Sequence, residues 1–254
     1  AMLMNGDIKC WGKGSDGQLM QGSISNVGVA TQQMGEYLTP SDLTTTVVKK
    51  LVAGSYHVCA LLESADPTTG DGLLKCFGGD LDSFVDSSPM LGQPLSEGAT
   101  IGFQLGEMGD RLWTVDVGEG NKVTDVSAGH AHTCAIVAGA EPGVRCWGEQ
   151  GDKLGIKAGT SFDGRNVFEP ELLQSVDIPG ESGDPATKIA CGYDHTCALM
   201  ANSSVTCFGE PSKGQLGYIP LENDTDTIGR VVWLGDWMGV TGYSQVAPYT
   251  ALVG

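Results

Sequence analysis

Cysteine and histidine side chains recur together at fixed spacing along this chain of 254 residues. A histidine followed two residues later by a cysteine occurs three times, and a second cysteine follows 10 to 17 residues after the first. The three sets are His57/Cys59/Cys76, His132/Cys134/Cys146 and His195/Cys197/Cys207. Such a set supports two kinds of chemistry, because the cysteines can close a disulfide or all three side chains can bind a soft metal ion.

Each set lies in two short phrases that repeat along the chain. The first phrase reads small residue, Gly, two variable residues, His, Val or Thr, Cys, Ala and an aliphatic residue; the second reads apolar, polar, Cys, aromatic, Gly. The first occupies residues 53–61, 128–136 and 191–199, and the second occupies 8–12, 74–78, 144–148 and 205–209. Both are apolar, β-branched or aromatic runs between turn-forming residues, which predicts two strands joined as a hairpin in each repeat.

Two weaker phrases follow the hairpin. A Gly-rich phrase containing Leu lies at 17–19, 151–155 and 214–217, and a phrase centred on Asp lies at 41–43, 115–117 and 176–178. In the second repeat we expect the Gly-rich phrase at Gln104-Leu105, which implies a long insertion that starts near Gly79. The period is 75 residues from Cys59 to Cys134, and no helical period is recognisable, so the sequence predicts an all-β fold.

The order of these phrases resembles the regulator-of-chromosome-condensation repeat, in its cysteine-containing variety. The resemblance covers essentially the whole chain and implies a β-propeller, in which small antiparallel sheets repeat around a ring. The family's ring has seven blades, so the resemblance implies that about four repeats here form part of a larger ring. The expected repeats are 1–51, 52–126, 127–188 and 189–245, with a further repeat starting at 246–254.

The two ends of the chain leave two arrangements open. Residues 249–253 match the first phrase with Thr250 at the cysteine position, and residues 1–3 resemble the tail of a first phrase. The chain is either an excerpt of a longer propeller, which we favour, or its ends share one blade and close a four-bladed ring. The second arrangement would leave Cys10 opposite Thr250.

The paired cysteines lie on opposite arms of successive predicted hairpins, where neighbouring strands bring Cα atoms within about 4.5–5.5 Å of each other. Three disulfides are therefore predicted, Cys59–Cys76, Cys134–Cys146 and Cys197–Cys207, each stabilising by about 3 kcal/mol in the chain-entropy model. Cys10 is expected to pair upstream of Ala1. Cys191 replaces the alanine that starts the other two first phrases and is expected to be a free, buried thiol.

Metal binding is the rival interpretation of the three sets. Structural zinc usually has four ligands, and no fourth ligand recurs with the histidine and the two cysteines. We therefore expect the histidines to form structural hydrogen bonds near the inner end of each blade.

Weaker signals indicate two further kinds of site. The inserted segment carries Asp80, Asp82 and Asp86, whose carboxylates could bind calcium, although they lack the spacing of an EF-hand loop. Asn202 and Asn223 each begin an N-glycosylation pattern in a predicted turn.

Composition restricts the classes of function. Asp and Glu outnumber Lys and Arg by 31 to 14, and a net charge of −17 makes nucleic acid an unfavourable partner. No apolar run reaches the length of a membrane helix, and no nucleophile elbow, phosphate loop or zincin motif is recognisable. We predict a protein that is not an enzyme and has no cofactor.

The resemblance leaves three functions to compare. We favour an extracellular or cell-surface scaffold that contacts proteins or glycans, or that self-assembles, through its loop faces, because cysteine pairs suit an oxidising compartment. The alternative is a guanine-nucleotide exchange factor for a small GTPase, the best-known role in the family. The third is a light sensor similar to the plant ultraviolet receptor of this fold, but its G-W-R-H-T motif is absent, and packing is the expected role of Trp11 and Trp147.

Overall fold

The computed structural model describes residues 1–41, 43, 47–63, 72–79, 88–93, 100–104, 106–149, 151–155, 173, 175–176, 178, 184–217 and 231–233. These residues contain ten strands: β1 Val48–Ala53, β2 His57–Leu62, β3 Leu73–Gly78, β4 Asn121–Ala128, β5 His132–Gly139, β6 Gly143–Gly148, β7 Ala186–Cys191, β8 His195–Met200, β9 Ser204–Gly209 and β10 Val231–Trp233. Short 3₁₀ turns occupy Gly35–Tyr37, Ser88–Leu91, Gly109–Arg111 and Asp152–Leu154. Within this part of the chain, none of the helical segments has the length and apolarity to cross a membrane.

The strands form three antiparallel sheets, one each for the second, third and fourth repeats. Their strand orders are β1-β2-β3, β4-β5-β6 and β10-β9-β8-β7. The middle strand of a sheet is the most enclosed, and every residue of β2 is buried, as a continuous apolar run predicts. The all-β prediction is confirmed.

The first phrase is not one strand, as the sequence predicted, but a strand end, a turn and the next strand. β1 ends at Ala53, and β2 begins at His57. The Gly54 N–H donates to the carbonyl of His57 at 2.8 Å, which closes the turn. The same bond recurs in the two following repeats, from Gly129 to His132 and from Gly192 to His195, at 2.8 Å each.

The first repeat is less regular than the sequence predicted. Its second phrase makes isolated antiparallel bridges, from Met2 to Ile8 and from Ile8 to Ser41, and no strand is formed among residues 1–41. The bridge from Met2 to Ile8 has the register of the Leu61–Leu74 pair in the second repeat. Residues 1–3 therefore take the place of a first phrase, as predicted.

The phrase centred on Asp lies alongside the third strand position of each repeat. Ser41 N–H donates to Ile8 O, Val115 N–H to Leu74 O, and Val176 N–H to Val144 O, all at 2.7 Å. In the fourth repeat this position is taken by the edge strand β10, which no repeated phrase predicted and which pairs with β9 from Val231↔Thr206 to Trp233↔Ser204.

The Gly-rich phrase of the second repeat is Met90-Leu91-Gly92, so the prediction of Gln104-Leu105 was wrong. Leu91 is fully buried, as Leu154 is in the third repeat, and Gly92 has φ +61°, close to the +65° of Gly155. Packing identifies Gly92 as the equivalent of Gly155, because a Cβ on Gly92 would lie 2.8 Å from Nε1 of Trp147 and one on Gly155 would lie 2.8 Å from Cε2 of Phe208. The insertion therefore lies before Met90.

The aromatic residue after each second-phrase cysteine forms the centre of the core in the three complete sheets. Phe77, Trp147 and Phe208 are at most 1% exposed. Trp11, the counterpart in the first repeat, is 49% exposed. The packing prediction is confirmed for Trp147 and wrong for Trp11, since no described strand lies beside residue 11 to cover the indole.

Candidate functional site

The histidine of one repeat reaches the threonine of the next. Nε2 of His57, at the start of β2, lies 2.8 Å from Oγ1 of Thr133 in β5. Nε2 of His132, at the start of β5, lies 3.0 Å from Oγ1 of Thr196 in β8. All four side chains are buried, so each contact is an inter-repeat link within the core.

The hydrogen bonds of the threonines fix the tautomer of both histidines. Thr133 Oγ1 donates its single proton to Met90 O at 3.0 Å, and Thr196 Oγ1 donates to Lys153 O at 3.3 Å. Each hydroxyl must then accept from the imidazole, so Nε2 carries the ring hydrogen and Nδ1 does not. Neither Nδ1 atom has a hydrogen-bond partner among the described residues.

Burial keeps these two rings neutral. It lowers the pKa of His57 to about 4 and the pKa of His132 to about 3, because a charged imidazole loses its hydration in the core. Burial also lowers the pKa of His195, which is half-buried. The predicted structural hydrogen bond is confirmed for His57 and His132, and neither ring is placed for acid-base catalysis near neutral pH.

The Gly of the first phrase leaves space for the histidine ring. An added Cβ at Gly54 would lie 2.6 Å from Cε1 of His57, and one at Gly192 would lie 2.6 Å from Nε2 of His195. The turn folds so tightly onto its own histidine that a methyl group has no room.

The three predicted disulfides are present. Cys59 pairs with Cys76 in the register of β2 and β3, and the other two cysteine pairs face each other in the same way in their own hairpins. The Cα atoms of the pairs are 4.0 to 4.1 Å apart and the sulfurs are bonded. Each bond lies at the middle of the sheet and ties together the two strands that carry the core aromatic and the histidine.

The other two cysteines have no disulfide partner among the described residues, and the expected partner of Cys10 upstream of Ala1 lies outside this chain. Cys10 is half-buried, and burial raises the pKa of its thiol. Cys191 is also half-buried as a residue, but its sulfur lies inside, where it donates to Ser127 O at 3.4 Å. Burial raises the pKa of the Cys191 thiol as well.

Asp125 connects three consecutive sheets. One of its oxygens lies 2.6 Å from the Nζ atom of Lys50 in β1, and the other accepts from the backbone N–H of Ile189 in β7 at 3.1 Å. Asp125 is 5% exposed, so this ion pair is shielded from solvent on the carboxylate side. No local pattern in the sequence predicts this contact, because only the packing of neighbouring sheets brings these residues together.

A row of side chains crosses the turns between the first two strands of three repeats. The turn row comprises Ser55, Tyr56, His130 and Tyr193, and Ser55, His130 and Tyr193 occupy the same position of the first phrase. His130 Nδ1 lies 2.7 Å from Ser55 Oγ, and Nε2 lies 2.9 Å from the Tyr193 hydroxyl. The rings of His130 and Tyr193 stack at 3.9 Å, and Tyr56 meets His130 edge-on at 5.3 Å.

The turn row is partly exposed: Ser55 and Tyr193 are exposed, and Tyr56 and His130 are half-buried. Tyr193 is 64% exposed, and Lys13 lies over the Tyr56 ring at 5.7 Å. Both nitrogens of His130 are occupied by hydroxyl groups, which hold the ring in place. The sequence signal for this surface was the polar or aromatic character of one variable position in three successive repeats.

An acidic cleft adjoins the turn row. It has a volume of about 220 Å³ and is lined by Gly151, Lys153, Asp194 and Glu210. The Lys153 ammonium lies 2.6 Å from Glu149 and 3.2 Å from Asp194. Burial lowers the pKa of Lys153, but the hydrogen bonds to these two carboxylates outweigh it, so the net shift is upward.

Several predicted sites cannot be located. Asp80, Asp82, Asp86 and Asn223 lie outside the described residues, as does Thr250. Asn202 is exposed in the turn between β8 and β9, where a glycan acceptor has to be, and its side-chain oxygen accepts from the Ser204 N–H at 2.9 Å.

Comparisons with known proteins agree with the repeat pattern. A model of the regulator of chromosome condensation (RCC1) repeat matches residues 186–215. The Ultraviolet-B receptor UVR8 of Arabidopsis thaliana is 26% identical over 253 aligned residues, which cover 87% of this chain and 53% of the receptor. The Regulator of chromosome condensation of Xenopus laevis is 27% identical, with 84% of this chain and 42% of that protein covered.

A solved structure shares the fold. Yeast RCC1 (Prp20), crystallised bound to Kap60, superposes with a TM-score of 0.59 at 17% identity and covers 95% of this chain and 48% of the yeast chain. The chain thus spans about half the length of the relatives that it matches. Phrase order, sheet register and these comparisons together show that the chain is similar to β-propeller proteins built of RCC1-type repeats.

Proposed function

We propose that this chain is a non-enzymatic binding module of an extracellular or cell-surface protein, and that it engages a protein partner through the turn row. The turn row is the observation that carries the proposal. The exposed ring of Tyr193 is held by its contacts with His130 and so loses little conformational entropy on binding, and tyrosine side chains are common binding hot spots in protein interfaces.

The surroundings of the turn row favour a basic contact on the partner. Asp194 follows Tyr193 directly, and its side chain is 37% exposed beside the cleft. Glu149 is 41% exposed and Glu210 lines the same cleft. An arginine or lysine of the partner would meet carboxylates in the cleft while an apolar group packs on the tyrosines, and the net charge of −17 would speed the encounter.

The disulfides support a location in the secretory pathway or outside the cell. Three structural disulfides in one domain are typical of oxidising compartments, because cytosolic thiol systems keep cysteines reduced. The exposed position of Asn202 in a turn is compatible with glycosylation there.

Site-specific photo-crosslinking tests the surface. A photoreactive phenylalanine analogue is introduced at Tyr193 and, as a matched control, at Trp113, which is equally exposed at 64% but lies outside the turn row. We expect a specific crosslinked protein from position 193 that is absent from position 113. Equal crosslinking at both positions, or crosslinking to glycans alone, would contradict the proposal.

A purified partner then allows a quantitative test. We expect Tyr193→Ala to weaken its binding by tenfold or more, about 1.4 kcal/mol, because Tyr193 is the most exposed ring of the turn row and stacks on His130 at its centre. Trp113→Ala should change the affinity by less than about twofold. Peptide mapping of the native protein without reductant tests the compartment, since free thiols in the three pairs would refute an extracellular location.

Nucleotide exchange on a small GTPase remains the alternative function. The relatives named Regulator of chromosome condensation make the assay worthwhile. Catalytic acceleration of nucleotide release by this chain would overturn the proposal of a non-enzymatic module, whereas no acceleration is the result that we expect.

A further inference from the structure

A further sulfur ligand, Cys191, lies beside the histidine and the cysteine pair of the third repeat, and the second repeat has no counterpart to it. Ligand atoms of His132, Cys134 and Cys191 all lie within 4.8 Å of one another, although Cys191 belongs to the next sheet. Cys146 is not one of these three residues, but its sulfur is bonded to that of Cys134 and so lies beside them. One imidazole, one thiol and the two sulfurs of a disulfide are therefore close together between β5, β6 and β7.

Three members of the cluster surround one hydroxyl group. The Thr196 hydroxyl lies 3.0 Å from His132 Nε2, 3.5 Å from Cys134 Sγ and 3.7 Å from Cys191 Sγ. A hydrogen bond to the neighbouring sheet holds Cys191 in place, since its backbone N–H donates to Ser127 Oγ at 2.9 Å. The cluster is thus assembled by strand packing and does not depend on a mobile loop.

We propose that reduction of the Cys134–Cys146 disulfide converts this cluster into a tetrahedral zinc site with the ligands His132, Cys134, Cys146 and Cys191. A dithiol reductant supplies two electrons and two protons and leaves as its own disulfide, which frees two protein thiols. Zinc then binds three thiolates and one imidazole and displaces three thiol protons.

The distances suit this conversion. Zinc–sulfur bonds of about 2.3 Å and zinc–nitrogen bonds of about 2.0 Å put neighbouring tetrahedral ligand atoms roughly 3.3–3.8 Å apart. The three ligand atoms now within 4.8 Å need to move by about 1 Å. The imidazole of His132 is buried, and its Nδ1 atom has no hydrogen-bond partner among the described residues.

The second repeat supplies an internal control. It has the same histidine and cysteine pair, but Ala128 stands at the position of Cys191. That repeat therefore offers three ligands and no fourth, so a metal preference for the third repeat isolates the contribution of Cys191.

Cobalt binding tests the proposal, because tetrahedral thiolate coordination of Co²⁺ has intense visible absorption bands. The full chain is reduced without oxygen, and its folding is verified by circular dichroism before Co²⁺ and then Zn²⁺ are added. We expect one tightly bound equivalent, its loss in Cys191→Ala, and no change in Cys10→Ala. Ala128→Cys should create a second equivalent in the second repeat.

A variant that needs no reductant guards against unfolding of the reduced chain. Cys146→Ala removes the disulfide of the third repeat and leaves the other two intact. We expect this variant to bind Co²⁺ more weakly, with three protein ligands, and the double variant Cys146→Ala/Cys191→Ala not to bind it. Absence of thiolate bands in wild type and Cys146→Ala, or equal binding after Cys191→Ala, would overturn the site, as would a Cys134–Cys191 disulfide in place of metal binding.

Discussion

At the scale of the residue, a histidine, a glycine and a threonine form one device that repeats between sheets. The Gly makes room for the ring, the ring donates from Nε2, and the threonine of the next repeat accepts and passes its own proton to a backbone carbonyl. Every polar atom of this link is satisfied except Nδ1 of the histidine. Burial keeps the imidazole of this link neutral, which has a consequence for stability.

Stability should fall as the pH drops below about 6.5. The pKa of His57 is about 4 and that of His132 about 3 in the folded chain, against 6.5 for an ordinary histidine, so the unfolded chain binds more protons below pH 6.5. The stabilisation is complete above that pH, and each ring should cost up to about 1.4 kcal/mol per pH unit below it. Urea unfolding between pH 7.5 and 5.0 measures the slope, which His57→Gln should reduce by one proton. A flat profile would contradict the neutral link.

Gly129→Ala should destabilise the fold by about 1–3 kcal/mol, as overpacking does in a dense core. The new methyl group would lie 2.7 Å from the carbonyl oxygen of Gly192 and would overlap the His132 ring. Gly214→Ala is the control, because its φ of +75° is unfavourable for alanine but no atom lies within 4 Å of the new Cβ. It should cost only about 1 kcal/mol. Equal losses of unfolding free energy would argue against the steric explanation.

At the scale of the element, each hairpin is held at the middle of its sheet by a disulfide between directly paired residues. The hairpin strands carry the core aromatic on one side of the bond and the histidine link at its end. The hairpin is therefore the unit that holds the exposed turn in position, and the turn row depends on three such units being aligned.

Removing one disulfide should lower stability without removing the fold. Cys197→Ala/Cys207→Ala opens a loop with a sequence separation of 10, which should cost about 3 kcal/mol in the free energy of unfolding. Chemical unfolding measures the loss, and Cys10→Ala, which removes a cysteine that has no disulfide partner among the described residues, serves as the control. A double variant as stable as the wild type would show that this bond contributes nothing to stability.

At the scale of the whole molecule, charge and repetition dominate. A net charge of −17 on 254 residues opposes compaction through self-repulsion, while inter-sheet contacts such as Lys50–Asp125 offset it locally. The same charge keeps phosphate backbones away and attracts basic groups, which makes the overall field part of the proposed function.

Raising NaCl from 10 to 300 mM should increase the thermal midpoint by a few degrees, since screening shortens the reach of the repulsion to below about 10 Å. CaCl₂ at equal ionic strength separates screening from a specific cation site. An extra increase with calcium that disappears in Asp80→Asn/Asp82→Asn/Asp86→Asn would support the predicted calcium site. A midpoint that falls with NaCl would mean that attractive ion pairs outweigh the net charge.

The sequence by itself determined the repeat, the hairpins, the three cysteine pairs and the burial of Trp147. These features follow from local patterns, because the same order of apolar runs and turns in each repeat predicts the same strands and the same pairing register. Predictions from the sequence were wrong at positions where contacts with a neighbouring sheet decide whether a side chain is buried. In the second repeat Leu91 is the buried leucine, and the adjoining Gly92 has no room for a side chain beside Trp147; Trp11 stayed exposed because no described strand covers it.

Only the tertiary structure decided the candidate sites. The turn row joins one variable position of three repeats 63 and 75 residues apart, and the cluster around Cys191 joins one sheet to the next. No local spacing encodes these contacts, because they depend on how far successive sheets are rotated and how closely they pack. The repeat fixed what each sheet is made of, and the packing between sheets determined which side chains meet.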